Sequence, residues 1–378
     1  MAREPGAVLA RAALALLAAA ALVPFASGLD ARLDWALEAW RTCRGLLVAE
    51  RLSDLVQPVG LAVLAVATGR ALWRGRPLRE VAGILVSLAV GTLLIGALKD
   101  VLDRPRPGAE FLAPGGGSFP SGHVGNTVLN VAAVWLLWTG RGARSWPRAV
   151  GWVVGAAVIG IVAAARVYGR RHWPSDVAGA VAVGGAYAAL AMLHPDARWR
   201  VAATVVGLVL AGGGLLAAAT GTKIVFPAGS AAGRAAPILH LAFGDAQGQG
   251  ALHGAWALGD PDPLRRTAWL RAPVGTVDLP GIAQPVGEVR VVARPRSDET
   301  TAECTRLRVA LNGRVLGERL LHQGWRAYAF PTLPSDGRRD HNVLELAVSG
   351  VASSAPAAEV RRAGFSEVTV HPAGGPPP

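Results

Sequence analysis

The chain has 378 residues, is 52% hydrophobic with a mean hydropathy of +0.35, and carries a formal net charge of +12. A soluble chain of this length is rarely so apolar. The charge is almost all arginine, since Lys99 and Lys223 are the only lysines, and the arginines gather in short loops between apolar runs. That distribution is the footprint of membrane topology and argues against a nucleic-acid partner.

A bilayer core about 30 Å thick needs roughly 20 apolar residues per helix. Runs of that kind occur at 8–25, 55–73, 81–98, 122–139, 147–165, 177–193 and 201–219. The first, preceded by Arg3 and followed by Phe25-Ala26-Ser27-Gly28, also fits a cleaved signal peptide; a retained helix is preferred. Between the first two runs, Leu29, Leu33, Leu37 and Trp40 fall at helical spacing with Arg and Asp between them. They fit either an interfacial helix or one packed on the spans.

Arg70, Arg74, Arg76 and Arg79 share one loop, Arg141, Arg144 and Arg148 another, and Arg198 and Arg200 flank the last span. Alternating spans put all three on one side, which the positive-inside tendency makes cytoplasmic. Lys99, Arg104, Arg106, Arg166, Arg170 and Arg171 then land outside, partly offset by Asp100, Asp103 and Glu110. Cations on the wrong side are expected to hold an anionic substrate.

Composition changes after Lys223. A small-residue linker is expected at 223–237 and a β-sandwich at 238–371, with a disordered tail at 372–378. The sandwich rests on alternation at Val289, Val291 and Ala293, at Leu307, Val309 and Leu311, around Ala327 and Ala329, and at 343–348 and 367–370. Asn312-Gly313 is a hairpin signal. The order of these strands and turns resembles galactose-binding-like jelly-roll modules, which implies a glycan or envelope ligand. The two cysteines, Cys43 and Cys304, are too few for a disulfide framework, although one bridge between them is open.

Three stretches carry chemistry: Lys99 to Pro107 as K-x6-R-P, Pro120-Ser121-Gly122-His123, and Arg166 to Asp176 as R-x5-H-x3-D. Each lies at the end of an apolar run. Together they supply fixed cations, two histidines and a carboxylate, a set suited to metal-free attack on a phosphate ester. No cysteine–histidine cluster or paired carboxylates point to a metal, and no cofactor is expected. Gly115-Gly116-Gly117 lacks the following lysine and helix of a P-loop.

In this order and spacing the stretches resemble the signature of the type 2 phosphatidic acid phosphatase superfamily, over roughly the first 200 residues. One departure is Ala165, where the family usually has serine before the arginine. The resemblance implies an all-α transmembrane bundle of six core spans within 1–199. A seventh helix at 200–222 would lead to an extracytoplasmic sandwich. It implies a multi-pass cell-membrane phosphatase acting on a lipid phosphate or diphosphate, with its site outside. Residue by residue, Lys99, Arg106 and Arg166 are matched to the phosphate clamp, joined by Ser121 and Gly122 at a helix N-terminus. His172 is matched to the nucleophile, His123 to the general acid, and Asp176 to the group that orients His172. Arg104, Arg170 and Arg171 are off the pattern and are expected to snorkel or touch headgroups. His123, Asn126 or Thr127, and Asn130 share a helical face, which fits interhelical hydrogen bonds or the floor of the site; the structural reading is preferred. A phosphotransferase with another acceptor, or an inactive membrane-anchored glycan-binding protein, stays open.

Overall fold

The computed structural model describes residues 26–38, 40–104, 106–107, 117–139, 145–194, 196–221, 237–243, 245–258, 267–295, 305–321, 326–338, 340–349 and 363–373. The first apolar run, most of the linker, Cys304 and most of the tail lie outside these residues. So does any pairing of Cys43 with Cys304. The chain divides near residue 230 into two compact units.

The first unit is helical: α1 Ser27–Glu38, α2 Cys43–Trp73, α3 Leu78–Val101, α4 Gly122–Thr139, α5 Ser145–Tyr168, α6 Pro174–Tyr187, running on through a π-helical stretch Ala188–Leu193, and α7 Ala197–Ala219. Among the described residues, five helices (all but α1 and α4) are long and apolar enough to cross a membrane. This is a multi-pass membrane protein. In α4 the apolar run is interrupted by His123, Asn126, Thr127 and Asn130.

Helix α3 buries Val81, Ile84, Leu88, Gly91, Leu94 and Ile95, one face at helical spacing. Its other face is equally apolar, with Val86 and Leu93 exposed. Exposed valine and leucine also cover α7, as they do where the solvent is lipid. Close crossings depend on small residues. A Cβ on Gly125 of α4 would stand 2.6 Å from Ile95 of α3. Helix α7 packs along α3, with Thr204 Oγ1 and Ser87 Oγ 3.1 Å apart.

Helix α1 carries its acids inward. Asp30 and Asp34 are buried, while Leu29 and Leu33 are exposed. Helix α2 starts at Cys43, well before the expected run, and Thr42 caps it by accepting from the Gly45 N–H at 3.1 Å. At the far end of the bundle, Arg76 and Arg70 donate to the carbonyls of Leu136 and Trp138 at 2.8 and 2.9 Å. These arginines satisfy the C-terminal carbonyls of α4.

The second unit is a two-sheet β-sandwich. Its strands are β1 Leu239–Ala242, β2 Leu252–His253, β3 Trp256–Leu258, β4 Ala268–Leu270, β5 Val274–Pro280, β6 Val286–Pro295, β7 Arg306–Leu311, β8 Arg314–Leu320, β9 Arg326–Pro331, β10 His341–Ser349 and β11 Ala363–Pro372. One sheet runs β3-β4-β11-β6-β9 with β1 also on β11; the other runs β2-β5-β10-β7-β8. Alternate side chains close the core: Val289 and Val291, Leu307 and Val309, Leu344 and Leu346, Val368 and Val370. The β7–β8 hairpin turns on Asn312 (φ 51°) and Gly313 (φ 83°), the left-handed pair that a two-residue turn demands.

Candidate active site

The three motif stretches meet at one end of the helical unit. Lys99 sits in the last turn of α3, Arg166 in the last turn of α5, and Ser121, Gly122 and His123 at the start of α4. His172 precedes α6, whose first turn holds Asp176. Lys99, Arg106 and Arg166 act electrostatically on His123, and Arg106 and Arg166 also act on His172.

The structure sorts the cations into two classes. Arg104 is 4% exposed and pairs with Asp30 and Asp176, both at 2.6 Å. Arg170 pairs with Asp34 at 2.8 Å, and Arg171 pairs with Glu50. The expectation that these three would snorkel to lipid is therefore corrected: carboxylates on α1, α2 and α6 pair with all of them, in a buried setting for Arg104 and Arg170 and in a partly exposed one for Arg171. Among the described residues no carboxylate comes within ion-pair distance of Lys99, Arg106 or Arg166. Arg106 instead donates to the Arg171 carbonyl at 3.1 Å. Arg166 is 9% exposed, and its Nε has no hydrogen-bond partner among the described residues.

His172 is 2% exposed, and its Nδ1 lies 2.7 Å from the carbonyl oxygen of Ser118. A carbonyl can only accept, so Nδ1 carries the proton and Nε2 keeps its lone pair. Asp176 Oδ2 stands 3.7 Å from the same Nδ1, too far for a hydrogen bond. Its oxygens are engaged elsewhere, Oδ2 with the Trp173 N–H at 2.9 Å and Oδ1 with Arg104. The orienting contact expected from Asp176 is thus made by a backbone carbonyl, with the carboxylate as an electrostatic neighbour behind it. Burial pushes the His172 imidazole down to about 4; Asp176 opposes that shift, and Arg166 and Arg106 reinforce it. The ring is neutral at physiological pH.

Ser121 is fully buried, and its N–H donates to the Asp176 carbonyl at 3.2 Å. Its hydroxyl has no hydrogen-bond partner among the described residues. A Cβ added at Gly122 would meet nothing within 4 Å, so the first turn of α4 presents an open face. The N–H groups of that turn have no partner within the helix. Unpaired guanidinium and ammonium groups, a free hydroxyl and a helix N-terminus make a receptor for an anion of several oxygens.

The polar face of α4 differs from expectation. Thr127 donates to its own helix, to the His123 carbonyl at 2.7 Å. The Oδ1 atoms of Asn126 and Asn130 are buried with no hydrogen-bond partner among the described residues. Thr127 and Asn130 line an apolar cavity of about 670 Å³ between α2, α4 and α5, together with Val56, Val131, Val134 and Val158. It begins one helical turn from His123.

Sequence reasoning missed the Ser118 carbonyl, Arg104 and Asp30. A backbone acceptor leaves no mark in residue identity. The pairs joining Arg104 to Asp30 and Asp176 span 74 and 72 residues.

No curated protein matches the chain. Among solved structures, it is similar to the first transmembrane PAP2 type phosphatidylglycerolphosphate phosphatase from Bacillus subtilis. Identity is 19% over 46% of this chain and 91% of that one, with a TM-score of 0.40. It is also similar to the CBM36-1 domain of a multidomain xylanase from the hindgut metagenome of Trinervitermes trinervoides, at 13% identity over 32% and 90% of the two chains with a TM-score of 0.25. A family 35 carbohydrate binding module from Clostridium thermocellum matches at 11% identity over 35% and 98%, with a TM-score of 0.27. Residues 80–200, which hold all three motifs and the ends of the helices that carry them, match the model of the PAP2 superfamily.

Proposed function

We propose that this chain hydrolyses a phosphomonoester or diphosphate on a membrane lipid through a phosphohistidine on His172. The observation that carries the reading is the sorting of cations. At this end of the bundle Arg104, Arg170 and Arg171 are paired with carboxylates, whereas among the described residues Lys99, Arg106 and Arg166 have none within ion-pair distance and act on two histidines. Such a cluster is unfavourable unless an anion joins it.

In the proposed reaction the clamp, with Ser121 and the first N–H groups of α4, holds the phosphoryl oxygens. The Nε2 lone pair of His172 attacks phosphorus, the bond to the lipid oxygen breaks, and His123 donates a proton to that oxygen. Water then attacks phosphorus, the P–N bond breaks, and His123 takes the water's proton. Asp176 steadies the charge on His172. The lipid class is supported by the site's place at the ends of apolar helices and by the cavity one turn from His123, whose walls suit a hydrocarbon chain.

The same reading places the site and the β-sandwich outside the membrane and the Arg70–Arg79 turn in the cytoplasm. Seven spans, counting residues 8–25, belong to it. So does the split into a bundle at 1–199, a further helix, a linker at 223–237 and a separate glycan- or envelope-binding sandwich.

The test is turnover of a panel of phospholipids and polyprenyl diphosphates by the purified protein with EDTA present. Wild type is expected to release phosphate, and His172→Ala is expected to lose at least ~10³-fold in kcat while still inserting. Wild-type-like activity in His172→Ala sinks the mechanism. Loss in EDTA restored by a divalent ion sinks its metal-free form. For topology, a cysteine at Trp40 should react with an impermeant thiol reagent in intact cells, and one at Trp73 should not. Both belong in a background lacking Cys43 and Cys304, and reversed labelling overturns the orientation.

A further inference from the structure

The reaction above makes no use of Arg104 or Asp30, yet both sit behind its central carboxylate. Asp30 is 2% exposed, Arg104 4% and Asp176 fully buried. Arg104 Nη1 donates to Asp176 Oδ1 at 2.6 Å and to Ser175 Oγ at 2.7 Å, and Nη2 donates to Asp30 Oδ2 at 2.6 Å. Asp30 also accepts from the Ser175 N–H at 2.9 Å and from the Ser175 hydroxyl. Both edges of the guanidinium are thereby used, and the carboxylate plane of Asp176 is set between Arg104 and the Trp173 N–H. A planar fork fixes a carboxylate in this way; a single ammonium does not.

The charges facing His172 come from several elements. Asp176 is on α6, Arg166 on α5, and Arg106 on the segment after α3. Lys99 acts on Asp176, the anion nearest the ring. Arg104 and Asp30 complete the set behind Asp176.

We propose that Asp30 and Arg104 are positioning residues for the reacting histidine: Asp30 anchors Arg104, and Arg104 fixes Asp176 so that the triplet presents one net negative charge to the imidazole. The proposal rests on His172 as nucleophile. It also gives α1, which precedes the family-matched residues 80–200, a part in the chemistry.

Charge arithmetic supplies the test. Arg104→Gln leaves two anions behind His172. Asp30→Asn leaves none net. The double variant restores one. The test uses the full-length protein in nanodiscs with a water-soluble aryl phosphate, following the acid limb of the kcat/KM profile. The His172 ring is titrated separately by NMR. The limb and the ring titration should move up by about one pH unit in Arg104→Gln, move down in Asp30→Asn, and return to wild type in the double variant. Arg104→Lys should leave the limb in place but lower kcat, by about 10-fold or more, because charge is kept and the fork is lost. KM should hold within about threefold in all four variants, because none of the altered groups touches the phosphate.

Equal losses of kcat with no movement of limb or ring, or shifts of one sign in both single variants, overturn the proposal. Should Arg104→Gln fail to fold, Asp30→Asn and the charge-balanced double variant still carry the sign test. A wild type silent on every phosphate ester while the ring titrations follow the predicted signs overturns the catalytic reading and leaves the network standing. Turnover with unmoved titrations does the reverse.

Discussion

The two units solve opposite solvent problems. In the β-sandwich, Phe365, Tyr328, Val289 and Leu344 are buried, and the Arg306–Glu318 pair lies on an open surface. In the bundle, valine and leucine face outward on α3 and α7 while Asp30, Arg104, Asp176 and His172 are buried. The sandwich excludes water from apolar surface. The bundle instead buries a polar centre, and burial is what makes its charges felt, with Arg104 held between the carboxylates of Asp30 and Asp176.

The sharpest way to break this contrast is in the sandwich core. Phe365→Ala should cost about 3–5 kcal/mol, read as a lowered unfolding midpoint of that unit. Turnover of a soluble phosphate ester should stay within about twofold, since the sandwich core and the candidate site belong to separate compact units and residues that share no partners behave independently. A truncation after Thr222 should behave alike. Loss of activity in either, in stably inserted protein, would mean that the sandwich helps build the site.

Next in size is a charge on the lipid-facing surface. Leu208, exposed on α7, replaced by Asp should cost about 3 kcal/mol of insertion free energy, seen as lost membrane integration.

The buried His172 gives the bundle an acid sensitivity. Its imidazole is lowered from 6.5 to about 4. The stabilising contribution is therefore complete above about pH 6.5, falls as pH drops through that window, and is spent below about 4, on the order of 3 kcal/mol in all. Acid unfolding of His172→Gln should lack this component. The smallest effect is the counterpart of Leu208→Asp: Val315→Asp, at an exposed sandwich position, should change stability by less than about 0.5 kcal/mol.

The sequence showed most where hydropathy breaks abruptly. Lys99, the Ser121–His123 turn and the Arg166–Asp176 stretch stand at the ends of apolar runs, and the structure brings all of them together. The second apolar run begins only at 55 because Arg44, Glu50, Arg51 and Asp54 interrupt the pattern before it, whereas the helix itself starts at Cys43 behind the Thr42 cap and carries Glu50 to Arg171. Helix α1 was legible as a helix, but its working face was not: the apolar positions drew attention, and the acids do the packing. In the sandwich, the long alternating strands and the Asn312-Gly313 turn were readable. Strands β1 to β4 are two to four residues long, too short for period-two alternation to emerge. In β5, Gly275 at an inward position and Val274 at an exposed one dilute the alternation that Val277 and Leu279 complete. Long-range ion pairs leave no local trace, which is why Arg104 was assigned to the lipid and found in the core.

The hydrogen bond from His172 to the Ser118 carbonyl has a stereochemical consequence. With Nδ1 committed to an acceptor that has no proton to give, an electrophile can bond only to Nε2. A phosphohistidine formed at His172 should therefore be a single regioisomer, the tele form. The pros isomer would require the ring to abandon the carbonyl and invert. The backbone at Ser118, contributing no side-chain chemistry, thereby selects which of two chemically different adducts can exist.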